Sequence, residues 1–465
     1  MNFEHYFDRL LFMKRLIEKN LEAWKQNKRR KPLLIRGARQ VGKTYIIRQF
    51  GKKFKSFAEI NFELLNDAKD IFKADLKPDR IIRDLSLLLQ IKIIPGETIL
   101  FLDEIQEAPE AIKALRYFYE LMPELHVVAA GSLLEFQIEK IGIPVGRVST
   151  MYMYPLTFPE FLAADHNDDY LSAIAGIFKE NKINQAFHNR LTRLLGEYIA
   201  IGGMPEAVNC WTETKDYQEC HQIHRSLIET LTQDFLKYSK KHQIKYIDRL
   251  FNEIPRMMGT KFKFSAISGE YRKRELDPAL ELLQKAGVIH KVYHASGQGL
   301  PLGADINFNR FKTVFLDIAL AQTVLNIATT SWILNPLEQI TNRGGVVEAF
   351  VGQELIAGSG IDIKPQLYYW HREARSSNAE VDYLIVSNDR IIPVEIKSGK
   401  EGSMKSMKIF LKGHQRSPYG IRFYGGMPNI VDNIHSYPLY CVAGLREKSD
   451  KTTHWKLINE TGAIN

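Results

Sequence analysis

Eight residues constrain this chain more than any other stretch. Gly37-Ala-Arg-Gln-Val-Gly42-Lys43-Thr44 follows the apolar run Leu33-Leu-Ile35 and leads into residues spaced as a helix. It therefore satisfies GxxxxGK[ST] in the strand, loop, helix setting that gives the pattern its meaning. Glycines let backbone N–H groups close on the β- and γ-phosphates of a nucleotide, and the helix N-terminus favours the anion. Lys43 reaches the phosphates, and Thr44 offers its hydroxyl to Mg²⁺. A fortuitous glycine loop is the competing reading, and the flanking pattern speaks against it. From Pro32 to about Arg147 the runs LLI, FAEINF, ILFLD and VVAAG alternate with helical stretches. That alternation is the mark of a parallel sheet flanked by helices.

Further along, ILFLDE ends an apolar strand in Asp103 and Glu104. A P-loop enzyme needs a carboxylate there to hold Mg²⁺, here Asp103 through water, and a second, Glu104, to polarise the attacking water. Ser132, after the strand VVAAG, is positioned to sense the γ-phosphate. Arg147, in Pro-Val-Gly-Arg-Val, is the leading arginine for stabilising transition-state charge, a role worth on the order of 10³ to 10⁵ in rate. A surface arginine explains it equally well, and Arg39 and Arg36 are rivals. The expected cofactors are ATP and Mg²⁺.

At 465 residues, with 45% hydrophobic and 25% charged, the chain is globular and long enough for two to four domains. No apolar run reaches the roughly 18 to 20 residues of a membrane span, and MNFEHYFDRLLFMKRL mixes acids into its apolar stretch, unlike a secretory signal. A cytoplasmic location without membrane contact is expected. Cys210, Cys220 and Cys441 form no CxxC pair and leave an odd thiol, which fits a reducing compartment. The net charge of +9 leans toward an anionic partner such as nucleic acid, DNA before RNA, with a protein partner as the alternative. An arginine acting in trans would require a homo-oligomer.

Four units are expected: a P-loop core with an N-terminal helix (1–150), a helical lid (151–240), a winged-helix-like unit (241–340) and a C-terminal α/β unit (341–465). The helix at 5–27 carries Leu10, Leu11, Leu16, Ile17, Leu21 and Trp24 on one face. The lid opens with MYMYPLTFPEFL and is interrupted at Gly202-Gly203-Met204-Pro205. In the third unit, DPALELLQKAG and the strand-like VIHKVYH and TVFLD follow the order of a winged helix, whose Lys261, Lys263, Arg272, Lys273 and Arg274 suit DNA or protein docking. Cys220-His-Gln-Ile-His224 lacks further ligands and reads as partly buried helix rather than a metal site.

The C-terminal unit raises its own question, because AEVDYLIVSNDRIIPVEIKSGK sets charges inside strand-like runs. Glu395 and Lys397 are two apart on a strand and share a face, and Asp382 lies on the strand before, across the Ser387-Asn-Asp-Arg390 turn. Asp382 and Glu395 can hold Mg²⁺, with Glu348 from the preceding helix as a fourth member and Lys397 orienting the water. A solvated edge face competes with this reading, and Pro393 leans that way because proline is unusual in a central strand. Lys405, Lys408 and Lys412 form a basic stripe that suits a phosphate backbone or plain solvent.

LLIRGARQVGKT, ILFLDEIQ, AGS, GRV followed by YPLTFPEFL, and GGMPEAV together resemble a bacterial and archaeal family of AAA-type ATPases, over nearly the whole chain. The resemblance implies an ATPase of the AAA+ and related STAND-like class, a winged helix in the middle, and a C-terminal unit similar to the PD-(D/E)xK nuclease fold. The expected fold class is thus α/β: a P-loop NTPase sheet with helical lid, winged helix and PD-(D/E)xK-like domain. The expected function is ATP hydrolysis coupled to DNA binding or processing. The alternative is a nucleotide-controlled regulatory or scaffolding protein that binds DNA or a partner without cleavage.

Overall fold

The computed structural model describes residues 14–167, 169–239, 241–372, 379–397, 404–447 and 455–457. Leu10 and Leu11 of the expected first helix, and Ser398 and Gly399 of the C-terminal pattern, lie outside them. The first sheet holds β1 (Leu33–Arg36), β2 (Ser56–Asn61), β3 (Thr98–Asp103), β4 (His126–Gly131) and β5 (Ser149–Tyr152), in the order β2-β3-β4-β1-β5. All its pairings are parallel. Along β3, Ile99 and Phe101 enter one hydrophobic core while Leu100 and Leu102 enter a second on the opposite face. A strand buried on both faces reads as a continuous apolar run rather than an alternating one, as ILFL does. Each such side chain contributes roughly 1.5–3 kcal/mol. Because β4 is inserted between β1 and β3, the residues after β4 fall between the loop that follows β1 and the acids that end β3.

The helix Ile17–Gln26 packs Ile17, Leu21 and Trp24 against this sheet. Helices fill the expected lid region, among them Phe158–Ala164, Gln185–Ile201, Pro205–Thr214 and Tyr217–Tyr238. The first has a capping box: Thr157 accepts from the Glu160 N–H, and the Thr157 N–H donates to Glu160 Oε2 at 2.8 Å. The other Glu160 oxygen accepts from Leu16 N (2.8 Å) and Arg15 Nε (2.9 Å), so the cap also anchors the N-terminal helix.

A second sheet contains β6 (Ile289–Ala295), β7 (Ile306–Phe315), β8 (Leu367–His371), β9 (Glu380–Ser387), β10 (Arg390–Lys397), β11 (Gly420–Tyr424), β12 (Asn429–Val431) and β13 (Ile434–Pro438), ordered β12-β13-β11-β10-β9-β8-β6-β7. The hairpin β6–β7 comes from the expected third unit, yet β6 pairs in parallel with β8 of the fourth, so one sheet crosses residue 340. Asn388 and Asp389 form the β9–β10 turn with φ of 48° and 58°, left-handed values that these two residue types tolerate. Helix Gly344–Gly358 is buried along residues 346–356. A helix enclosed on every side is apolar on most of its faces, which explains VVEAFVGQELIAG, whose Glu348, Gln353 and Glu354 are themselves buried. No helix among the described residues is long and apolar enough to cross a membrane.

Candidate functional site

The loop after β1 is built for close approach. A Cβ on Gly37 would lie 2.2 Å from the Met153 carbonyl oxygen, and Gly42 starts the helix Lys43–Gly51 from a left-handed φ of 93°. Lys43 is only 6% exposed, and its ammonium donates to the Gly37 carbonyl at 3.0 Å and the Ala38 carbonyl at 2.7 Å. Burial lowers it to about 8, against the opposing pull of Glu104 and Asp103. Thr44 Oγ1 donates to Asp103 Oδ2 at 3.0 Å, and Asn61 Nδ2 donates to the same oxygen at 3.2 Å. Burial, then the neighbouring Glu104 carboxylate, push Asp103 up to about 6. Glu104 has a left-handed φ of 49° and accepts from Gln106 Nε2 at 2.5 Å. The Ser132 hydroxyl is buried with no hydrogen-bond partner, and Ser132 lines a cleft with Gly37, Ala38, Gly131 and Gly287. A buried ammonium held only by neutral carbonyls, a hydroxyl beside a carboxylate and an unpartnered serine fit Mg²⁺ and a nucleoside triphosphate.

Lys43, Thr44, Asp103, Glu104 and Ser132 thus gather at one end of the parallel sheet. Arg147 does not join them: half exposed, its Nε donates to Glu120 at 2.9 Å. Arg36 pairs with Glu135 and lies over the Tyr152 ring. Arg39, within the loop itself, donates to Asp234 of helix Tyr217–Tyr238 at 2.7 Å. Burial would lower Arg39, but Asp234 and, more weakly, Glu104 outweigh it.

In the second sheet, β10 lies between β9 and β11, and Glu395 on it is 2% exposed, so this is no solvated edge. Pro393 is accommodated because the β10–β11 ladder starts one residue later, at Val394. Lys397 Nζ pairs with Glu395 Oε1 at 2.5 Å, and the second Glu395 oxygen is buried without a hydrogen bond. Asp382 Oδ2 accepts from the Ile396 N–H at 2.8 Å. Between Asp382 and Glu348 stands Lys312 of β7, 2.7 Å from Glu348, 2.6 Å from Glu380 and 3.7 Å from Asp382. Lys261 adds a second cation on Glu380 at 3.1 Å.

Burial alone would discharge Lys312, and the Glu348, Asp382 and Glu380 carboxylates outweigh it, holding the ammonium well above the ordinary lysine range. Glu348 and Asp382 are nonetheless both raised, by burial first. The two directions are compatible: Lys312 stays charged, while one ammonium cannot offset both buried acids, so the Glu348–Asp382 pair retains a proton more readily than Glu380. Glu380, with two lysines, is lowered despite its burial. Among the described residues no group of three or more His, Cys, Asp or Glu is arranged to hold a metal ion. Of the expected metal ligands, Glu348 and Asp382 share the Lys312 ammonium and Glu395 pairs with Lys397, so each acid already has an ammonium beside it and the arrangement as it stands does not fit Mg²⁺.

Several residues outside the motifs prove central. Arg15 donates to Glu160, to the Val41 carbonyl (2.9 Å) and to the Tyr154 carbonyl (2.7 Å), fastening the phosphate loop from behind. Asp317, fully buried, accepts from the N–H groups of Gly203, Ala319 and Leu320. Glu354 accepts from the Phe158 N–H at 2.8 Å, joining the buried helix to the lid. His224, 1% exposed, has its Nε2 2.8 Å from the Ile201 carbonyl oxygen and is lowered to about 4 by burial. Of these, Asp317, at the end of the apolar TVFLD, carried the signal of an acid terminating a strand, and His224 stood in the pattern read above as partly buried helix.

Residues 29–162 match a family described as an AAA domain, so this part of the chain is an AAA-type P-loop domain. Residues 192–331 and 343–442 match two families described only as domains of unknown function. The chain is 20% identical over 290 residues to an uncharacterized protein of Methanocaldococcus jannaschii, a stretch that covers 60% of each chain and so under two thirds of that relative. Among solved structures, a Walker-type ATPase of Pyrococcus abyssi overlaps 68% of this chain and 96% of its own at 17% identity and a TM-score of 0.44. The ORC1 protein of Aeropyrum pernix, solved in complex with DNA, overlaps 70% and 97% at 12% identity and a TM-score of 0.31. Superpositions of that extent carry no functional argument.

Proposed function

We propose that the chain is a Mg²⁺-dependent ATPase whose nucleotide state is passed to its C-terminal half, and that this half binds DNA without cutting it. The observation carrying the hydrolytic part is the Thr44–Asp103 contact beside an ammonium that has only neutral carbonyls for partners. On nucleotide binding Lys43 exchanges the Gly37 and Ala38 carbonyls for phosphate oxygens, and the loop N–H groups turn to the same anion. Thr44 and Asp103 would hold Mg²⁺, which would neutralise phosphate charge there. Glu104 orients and deprotonates the water once its Gln106 contact opens, and the Ser132 hydroxyl donates toward the γ-phosphate. Support for coupling comes from the corner before β6, where a Cβ on Gly287 would touch Ala38 at 3.4 Å. Two residues later β6 begins, so movement of the loop presses on that strand.

The absence of cleavage rests on the ammonium groups already paired with the expected metal ligands, Lys312 with Glu348 and Asp382 and Lys397 with Glu395. A cutting reading, with Asp382, Glu395 and Glu348 around a metal and Lys397 beside it, draws support from element order. Helix Gly344–Gly358, antiparallel β8-β9-β10, helix Lys405–Gly413 and a β11 parallel to β10 follow one another as in the PD-(D/E)xK resemblance. It requires Lys312 to withdraw. The deciding experiment follows phosphate release and DNA length together for wild type, Glu104→Gln and Glu395→Ala with Mg²⁺ and Mn²⁺. Hydrolysis lost in Glu104→Gln with DNA length unchanged throughout is the expected result; DNA shortened by wild type but not by Glu395→Ala would sink the non-cutting reading.

A further inference from the structure

Beside the Lys312 cluster, the outer side of the β6–β7 hairpin opens into a groove of about 460 Å³. Its charged lining is Lys261, Lys263, Arg310 and Arg372, with the imidazoles of His294 and His371 beside them, and no carboxylate is among its described lining residues. These cations come from three separate segments: the stretch before helix Lys273–Lys285, the hairpin, and the end of β8. Arg310 on the edge strand β7 has an ordinary explanation, since charge there discourages strand pairing with another molecule. That explanation does not reach Lys263, His371 or Arg372, which are not on the edge strand. Nor does it reach Phe308 of β7, 69% exposed and edge-on to the Tyr293 ring at 5.6 Å, which lines an adjoining hollow that shares His294, Asn309, His371 and Arg372 with the groove and also carries Asp305. The crowding of positive charge has a consequence inside the groove: burial, then Lys261, His294 and Arg310, hold His371 below the ordinary histidine range against the pull of Glu380.

We infer that this groove and the adjoining hollow hold one strand of single-stranded DNA, with Lys263, Arg310 and Arg372 along its phosphates in the groove and Phe308, in the hollow, stacked on a base. Cationic grooves with an exposed aromatic suit single strands, because unpaired bases offer a ring face that a duplex hides in its stack. The groove also lies where the nucleotide signal would arrive: β6 starts two residues from the corner on the phosphate loop, and its His294 lines the groove. The inference rests on the DNA-binding part of the proposed function.

Fluorescence anisotropy of a short labelled single strand, titrated with the full chain between about 50 and 200 mM salt, tests it. Lys263→Glu with Arg310→Glu should weaken binding at least tenfold and reduce the salt slope by about 2. Phe308→Ala should weaken it by roughly 5- to 100-fold with the slope unchanged. Lys405→Glu with Lys408→Glu, on the other basic stripe, should leave affinity within about twofold, as expected for surface charges outside the contact. The milder Lys263→Gln with Arg310→Gln guards against misfolding, and thermal melts and DNA-free ATP hydrolysis should match wild type for all variants. If wild type binds and the groove variants bind equally, the groove assignment is overturned while the proposed function stands; if wild type binds no DNA, its DNA-binding part falls too. Equal affinity for duplex together with an inert Phe308→Ala overturns the single-strand assignment, as does an RNA strand held more tightly than DNA. Competition by polyglutamate at equal charge would give the groove to an acidic protein.

Discussion

Two lysines buried to nearly the same degree live opposite lives in this molecule. Lys43 is 6% exposed and Lys312 2%. The first touches two neutral carbonyls and is lowered to about 8; the second is ringed by Glu348, Glu380 and Asp382 and held well above the lysine range. Burial costs both of them, and only their partners differ. A buried ammonium without an acid is a vacancy for an anion, whereas one among acids is already a completed ion pair. The P-loop therefore presents a binding site, and the C-terminal constellation presents a joint.

The sharpest way to break this contrast is to remove each ammonium. Lys43→Ala should lower ATP hydrolysis by at least about 10²- to 10³-fold and abolish the rise in Tm that nucleotide gives wild type; phosphate release and thermal shift read both. Lys312→Met should leave hydrolysis chemistry in place but destabilise the fold by about 3–5 kcal/mol, since buried carboxylates lose their counter-charge. Adding Glu348→Gln and Asp382→Asn should restore most of that loss, a recovery visible in denaturant melts. Failure to recover would mean that Lys312 packs rather than pairs.

His224 extends the contrast to a group that burial has already discharged. Its folded value of about 4 lies below the ordinary 6.5, so the folded state binds fewer protons between those limits. Stability from this residue is complete above about pH 6.5 and falls as pH drops toward 4, by at most on the order of 3 kcal/mol. His224→Gln should flatten that part of the stability–pH curve, and an unchanged slope would refute it. The smallest effect is expected at Arg147. Its exposed pairing with Glu120 leaves Arg147→Ala with no measurable change in Tm, and with unchanged hydrolysis in dilute protein. A loss appearing only at high protein concentration would place Arg147 in a neighbouring copy's site.

What the sequence made legible follows the same division. The P-loop could be read because Gly37 to Thr44 are contiguous and each performs a local task, and Asp103 ends a strand whose burial on both faces is written in its composition. Lys312 could not be read, because it meets Glu348 across 36 residues of chain and sits in a strand of a different expected unit. Arg15 meets Glu160 across 145 residues, and Asp317 meets Gly203 across 114, with no pattern joining either pair. The turn at Gly202 was visible as punctuation, but its cause was not: a Cβ there would lie 2.3 Å from an Asp317 oxygen. Proline statistics pointed the wrong way at Pro393, because a rule about central strands says nothing of where one neighbouring ladder begins.

The parallel pairing of β6 with β8 decides whether the C-terminal half can stand by itself. A fragment beginning at residue 341 would forfeit β6 and β7, baring the backbone of β8 along a raw margin open to any stray strand. The same cut would take away Lys312 and leave Glu348, Glu380 and Asp382 facing one another in the interior. What the chain order offers as a separable module is, in folding terms, a dependant of the segment before it.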